Sequence, residues 1–336
     1  MPLMHCQPRT LAAFGDLVPE IVYVMCGARG ETRNRLLALL PQARLIGFEP
    51  DAEECQRLRR AARPGYTYHD VAVAGRDEQR TLYLTRERAC SSLLQPNAAF
   101  FGRFLDCAPQ IEVEQQRTVE TVSLDSFLPR IGVAHVDFLK LDTQGTELEI
   151  LQGASHLIAA GVVGIQVEVE FAPIYQGQPL FSDLDGHLRQ LGFMLFDLSR
   201  NRYRRSGIPR ECLTRGQLLW GDAIYLRDYG WFAAESKKQP IFSLCLIAAA
   251  LGFHDYALEV MDFLLQGGIG SLSSEETGAL QRARDRYLAD LRKSAWGLRT
   301  IHRLGLKKGM KLLGKVTGLA DRVAREPAMT NFSWAD

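Results

Sequence analysis

The sequence predicts an α/β protein with an open, mostly parallel sheet, helices on both of its faces, and an all-helical extension behind it. Three observations carry this. Short apolar runs alternate with helical periods between residues 21 and 228, the first run opens into a glycine turn, and from residue 229 onward helical periods stand alone. Apolar runs joined by helical crossovers form parallel strands covered on both sides, because each right-handed connection returns over one face of the sheet.

The elements follow in order. After a lead-in over residues 1–20, IVYVMC (Ile21–Cys26) reads as a buried strand entering Gly27-Ala28-Arg29-Gly30, and Glu31–Leu40 as a helix stopped by Pro41. Arg44–Phe48 is a second strand with Glu49-Pro50-Asp51 at its tip, followed by a helix over Ala52–Ala62. Tyr66–Ala74 reads as a third strand, Glu78–Thr85 as an edge, and residues 86–118 as an irregular stretch suited to covering a ligand. A short helix is expected over Ser126–Ile131. The run from Val136 then emerges through Lys140 and Asp142, turns at Thr143-Gln144-Gly145 and continues as a helix with Glu147 and Glu149 near its start. Val162–Phe171, a helix over Phe181–Leu191, Gly192–Asp197 and a last strand near Asp222–Leu226 complete the α/β part, 21–228. In the remainder, 229–336, Pro240–Leu251 and Asp255–Leu265 form a helical pair and Ser273–Leu291 a long helix. A single tetratricopeptide-like pair without a second copy does not make a solenoid.

Composition narrows the classes. Of 336 residues, 46% are hydrophobic and 24% charged, as in ordinary globular proteins, and no run approaches the length of a membrane span. The start, MPLMHCQPRT, lacks the apolar segment of a secretory signal, and the seven scattered cysteines include no CxxC pair. A reducing cytoplasm is the expected compartment, without disulfides or a metal site. The net charge of +1 hides an asymmetry: Arg292–Arg325 holds ten Lys/Arg against the single acid Asp321. Apolar residues recur there at roughly helical spacing, so the segment reads either as a peripheral contact with an anionic membrane or lipid-linked glycan, or as a packed helix with a solvated basic face. Nucleic acid is not the expected partner, since aromatic residues are few in the basic run.

The candidate site lies at the carboxyl ends of the strands, where open α/β sheets bind ligands. Glycines after the first strand let a ligand approach the backbone, and Glu49, at the tip of the second, suits a ribose hydroxyl pair. Thr32 replaces the third glycine of a GxGxxG pattern, which disfavours a dinucleotide. Asp70 reads equally as an adenine contact or a solvated loop acid. Gln166, Glu168 and Glu170 alternate along one face of their strand, and acids on an inner strand cost desolvation unless they are paired or working. Glu168 or Glu170 beside Asp142 suits orientation or deprotonation of a hydroxyl; an edge strand with a wet face is the plain alternative. Lys140 reads first as an ion-pair partner for these acids. Cys90 has no evident His partner, which argues against a nucleophile.

The segments GARG, FEPD (Phe48–Asp51), HDVAV (His69–Val73), CSSLL (Cys90–Leu94), VSLDSFL (Val122–Leu128), DFLKLDTQGTELEILQGA (Asp137–Ala154) and EVEFAPIYQGQPLF (Glu168–Phe181) occur in this order. Together, over roughly residues 10–228, they resemble the FkbM-type family of S-adenosylmethionine-dependent methyltransferases. The resemblance implies a Rossmann-like class I methyltransferase fold, with seven strands of which the last is antiparallel, and O-methylation of a sugar or natural-product hydroxyl. It further implies that Gly27, Ala28, Arg29 and Gly30 flank the methionine end of the cofactor, Glu49 with Pro50 the ribose, and Asp70 with Val71 the adenine. Asp142, Glu168, Glu170 and Lys140 would then face a small-molecule or glycan acceptor. One departure stands out: Met25 occupies the place where the family's first strand usually carries an acid. Weaker cofactor binding, compensation by Arg29 or Glu31, and a non-catalytic binding module are the readings it leaves.

Overall fold

A strand buried along its whole length, Ile21–Cys26, sits at the middle of the sheet. In the computed structural model the described residues are 11–303, except 12, 13, 15, 16, 19, 31–34, 210, 236 and 271. The strands are β1 (Ile21–Cys26), β2 (Ala43–Phe48), β3 (Tyr66–His69), β4 (Ala72–Val73), β5 (Glu78–Thr85), β6 (Val113–Val122), β7 (Phe138–Leu141), β8 (Gly164–Glu170), β9 (Phe193–Leu198), β10 (Asn201–Tyr203) and β11 (Gln217–Arg227). The main sheet runs β3-β2-β1-β7-β8-β11, and β9 and β10 both pair with the far edge of β11. From β3 to β8 all pairs are parallel, and β11 is antiparallel to β8.

This is the expected class I architecture, with eight strands in place of seven. The extra strand arises because the edge beside β11 is interrupted. The chain crosses close over Gly221 at Ser199, where a Cβ would come within 2.1 Å of the Ser199 carbonyl oxygen, and the register shifts on either side, at Phe196 and between Asn201 and Arg202, so one edge becomes β9 and β10. Two other expectations are corrected. Tyr66–Ala74 is not one strand: the chain leaves the main sheet after His69, and Ala72–Val73 joins β5 and β6 in a separate three-stranded sheet. The stretch 86–118 is not wholly irregular, since Val113–Thr118 belongs to β6 and pairs antiparallel with β5. That arm is largely solvated, so its polar sequence lacks the apolar alternation that marks a strand.

Each helix has a local reason. Ala52–Ala61 starts at Asp51, whose side chain accepts from the Glu53 N–H, has Glu53 and Glu54 in its first turn, and ends with Arg59 and Arg60. Glu147–Gln152 stops at Gly153, where a Cβ would collide with the backbone of Gly75, and Ser155–Gly161 continues as a separate helix. Lys238–Leu251 is buried at every position from Ile241 to Ala249, as a helix enclosed on all sides must be, and closes on Gly252 at φ +94°.

Two apolar layers flank the sheet. One face packs against Leu124–Arg130, the two helices after β7, and Phe181–Gln190. The other carries Tyr23, Met25, Leu45 and Phe138 into a cluster continuous with Phe232, Ile241–Ala249, Val260 and Leu280 of the C-terminal helices. Met25 is fully buried in this cluster, in register with Gly47 and Lys140. No helix among the described residues is long and apolar enough to cross a membrane. The helix Ser274–Arg303 takes in the first part of the basic segment; residues 304–325 lie outside the described ones.

Candidate active site

Two cavities open at the carboxyl ends of β1, β2, β7 and β8. The first is lined by Gly27, Arg29, Glu49, Pro50, Asp51 and Asp142, with Val71, Val73, Leu82, Leu84 and Leu93 forming an apolar side. Gly27 adopts φ +80°, and a Cβ there would lie 1.9 Å from the Asp142 carbonyl oxygen. Only glycine therefore lets the β1 turn rest directly on the tip of β7. Glu49 is 5% exposed. Its Oε1 accepts from the Asp51 N–H at 3.0 Å, and Arg29 Nη2 lies 3.9 Å from that oxygen and 2.6 Å from Asp51 Oδ2. Burial outweighs these contacts and pushes the Glu49 carboxyl up to about 7. Arg88, on the same wall, has its Nη1 buried without a hydrogen-bond partner.

Not every residue of the glycine turn faces this cavity. Ala28 is buried beneath it and donates its N–H to Phe48 O at 3.0 Å, and the Gly30 N–H donates to Glu54 Oε1 at 3.2 Å. Asp70 pairs with Arg59 Nη2 at 2.7 Å on the half-exposed surface, outside the cavity lining, while Val71 lines it. Met25 points into the apolar layer, away from the lining.

The second cavity, about 300 Å³, brings together Asp142, Glu168, Glu170 and Asp222 with Phe101, Tyr175, Tyr203 and Trp220. β8 lies between β7 and β11, so its acids sit on an inner strand and the edge-strand reading falls away. The register places Glu168 beside Asp222 and Glu170 beside Trp220. Burial, reinforced by the charges of Asp142 and its neighbours, holds Glu168 well above the carboxylate range, and burial with Glu147 and Asp142 does the same to Glu170. Asp222 is also raised, chiefly by burial, although Lys140, Ser199 and Gln166 oppose the shift. Lys140 is 8% exposed, and its Nζ lies 3.6 Å from Asp142 Oδ2, an ion pair as expected. Burial raises the Cys90 thiol to about 11, which leaves it protonated and a poor nucleophile. Among the described residues, no cluster of three or more His, Cys, Asp or Glu is arranged to hold a metal.

Between the cavities stands Gln144, which sequence reasoning left out of the site. Asp142, Gln144 and Ala89 line both cavities. Gln144 adopts φ +63°, unusual for a residue with a side chain. Its Nε2 donates to Asp142 Oδ1 at 3.1 Å and to Glu168 Oε2, and its Oε1 accepts from Tyr175 Oη–H at 2.8 Å. The turn is pinned by buried Glu147, which accepts from Thr143 N–H, Thr143 Oγ1–H and Gly145 N–H. A strained polar residue beside two acids is a functional signal, visible in sequence only as the TQG turn after Asp142.

A family model described as the methyltransferase FkbM domain matches residues 26–195, about half of the chain. The chain belongs to the FkbM methyltransferase family. The matched segment includes both cavity walls from Gly27 to Tyr175 and stops within β9. One relative, the 2-O-methyltransferase NoeI of Sinorhizobium fredii (strain NBRC 101917 / NGR234), is 25% identical over 177 residues, covering 50% of this chain and 70% of that protein. The solved methyltransferase FkbM from Methylobacillus flagellatus KT aligns at 15% identity and a TM-score of 0.36, over 66% of this chain and 48% of that one. TrmK from M. capricolum, solved with S-adenosyl-homocysteine, aligns at 6% identity and a TM-score of 0.32, over 86% and 99%.

Proposed function

We propose that this methyltransferase uses S-adenosylmethionine to methylate a hydroxyl of a sugar or natural product. The observation that carries the reading is the shared wall: Asp142 and Gln144 border both cavities, so groups held on either side would meet there. The first cavity suits the cofactor chemically. Glu49 offers a buried acceptor for ribose hydroxyls, the Val71–Leu93 side offers an apolar surface for the base, and Arg88 Nη1 is a buried donor in want of an acceptor. Arg29, paired with Asp51 and beside Glu49, adds a second cation to this cavity. Bound there, the cofactor supplies an activated methyl on a cationic sulfur.

The remaining work falls to the chain. Asp142 accepts the proton of the acceptor hydroxyl as its oxygen becomes nucleophilic, and Lys140 steadies the carboxylate from behind. Gln144 fixes the carboxylate's rotamer and ties it to Glu168, so both acids present fixed oxygens to the acceptor. Glu168 and Glu170 orient the acceptor's polar groups. O-transfer is supported by the name of the Sinorhizobium relative, a 2-O-methyltransferase.

Calorimetry of the full chain with S-adenosylmethionine and S-adenosylhomocysteine tests the cofactor assignment. Binding that Glu49→Ala abolishes is expected, and absence of binding at millimolar ligand would sink the reading.

A further inference from the structure

The second cavity has an unusual balance of charge. Four acids line it, Asp142, Glu168, Glu170 and Asp222, and among the described residues no Lys, Arg or His does. Lys140 stands behind Asp142 and is not part of the lining. Glu170 is 4% exposed, and its own backbone N–H donates to its carboxyl. A buried carboxyl with that single contact keeps acceptor capacity for an occupant of the cavity.

The rest of the wall is aromatic. Trp220 neighbours Glu170 across β8 and β11, and its Nε1 donates to Tyr203 Oη at 3.2 Å, fixing the two rings relative to each other. Phe101 and Tyr203 lie with ring centroids 5.8 Å apart, tilted at 56°. Burial pushes Glu168, Glu170 and Asp222 toward the protonated form, and an ammonium seated beside them reverses this, so ring quadrupole and restored charge together favour a cation, whereas a phosphate or carboxylate meets no counter-charge. A neutral polyol gains neither advantage.

On the reading that this cavity receives the methyl acceptor, we infer that the acceptor carries a free, protonated amine near the hydroxyl to be methylated, as an unacylated amino sugar does. Glu170 and Trp220 hold the ammonium, Glu168 and Asp222 take neighbouring hydroxyls, and Asp142 is left to the reacting one. Acylating the amine removes its charge and adds bulk where the cavity closes on Trp220.

The test compares three probes on the full chain saturated with S-adenosylhomocysteine: the methyl glycosides of glucosamine, N-acetylglucosamine and glucuronic acid, followed by saturation-transfer NMR and calorimetry. The glucosaminide should bind about tenfold more tightly than the N-acetyl form, and the glucuronide not detectably. Glu170→Gln should erase that preference while leaving S-adenosylhomocysteine affinity unchanged. Equal binding of the first two probes, or binding of none, overturns the inference while the cofactor result stands. If S-adenosylhomocysteine itself fails to bind, the methyl-transfer reading falls, and this inference with it. Should Glu170→Gln fold poorly, the wild-type ratio of glucosaminide to N-acetylglucosaminide affinity decides alone.

Discussion

Gln144 Nε2 stands 3.1 Å from Asp142 Oδ1, and this contact joins the two cavities into one site. It depends on a backbone conformation that the turn would not adopt unaided, since Gln144 lies at φ +63° and is held there by Glu147. The proposed base is therefore oriented by a residue that belongs to neither half of the site alone.

Replacing Gln144 by Ala should leave S-adenosylmethionine affinity within about threefold and lower the turnover number about tenfold to a hundredfold, as Asp142 loses its fixed rotamer. Single-turnover kinetics beside equilibrium binding separates the two effects. An equal loss in both would mean that Gln144 serves the cofactor pocket and not the base.

Asp142→Asn should spare cofactor binding and reduce transfer by about a hundredfold or more, the usual weight of a positioned base. Full activity with the true acceptor would remove Asp142 from that role.

Glu49 links binding to stability through pH. Its folded-state carboxyl is raised from 4.5 to about 7, so the unfolded chain ionises it more readily than the folded one. The protonated form therefore favours folding below about 4.5, and that contribution is lost as pH rises through 7. Glu49→Gln should thus raise stability at pH 8, by up to about 3 kcal/mol in urea denaturation, and leave it unchanged near pH 4. The same substitution should weaken cofactor binding. A destabilised variant at pH 8 would show that the carboxylate is structural.

Glu147→Ala removes the acceptor for two backbone N–H groups and one hydroxyl in a buried turn. A loss of about 3 kcal/mol in chemical denaturation is expected, with turnover falling as Gln144 leaves its position. Glu147→Gln should recover part of both.

Much of this site is legible in the chain because it obeys local rules. Ile21–Cys26 is a continuous apolar run and forms β1 over those same six residues. Glu49, Asp142, Glu168 and Glu170 were recognisable as polar groups placed where buried strands end. Other features needed the third dimension. Met25 is legible as a departure from the family pattern, but its burial beneath the C-terminal helices is not. Asp70 has a suitable position for an adenine contact, but Arg59 lies one helix away in sequence and beside it in space. Val113–Thr118 escaped notice because this half of β6 is solvated and prints no apolar alternation on its sequence. Asp222 joins Glu168 only through the antiparallel register of β11, which no spacing rule supplies.

The apolar layer shared by β1 and the helices beyond residue 229 bears on how this enzyme can be handled. The family match ends at residue 195, yet Tyr23 and Phe138 are shielded by Phe232, Ile241 and their neighbours. A fragment ended at residue 195 would lose β11 with Asp222 and leave Tyr23 and Phe138 on a sheet with one bare, greasy side. Such a fragment should aggregate on expression, and the smallest soluble enzyme will be set by what covers Tyr23, not by where ancestry is recognisable.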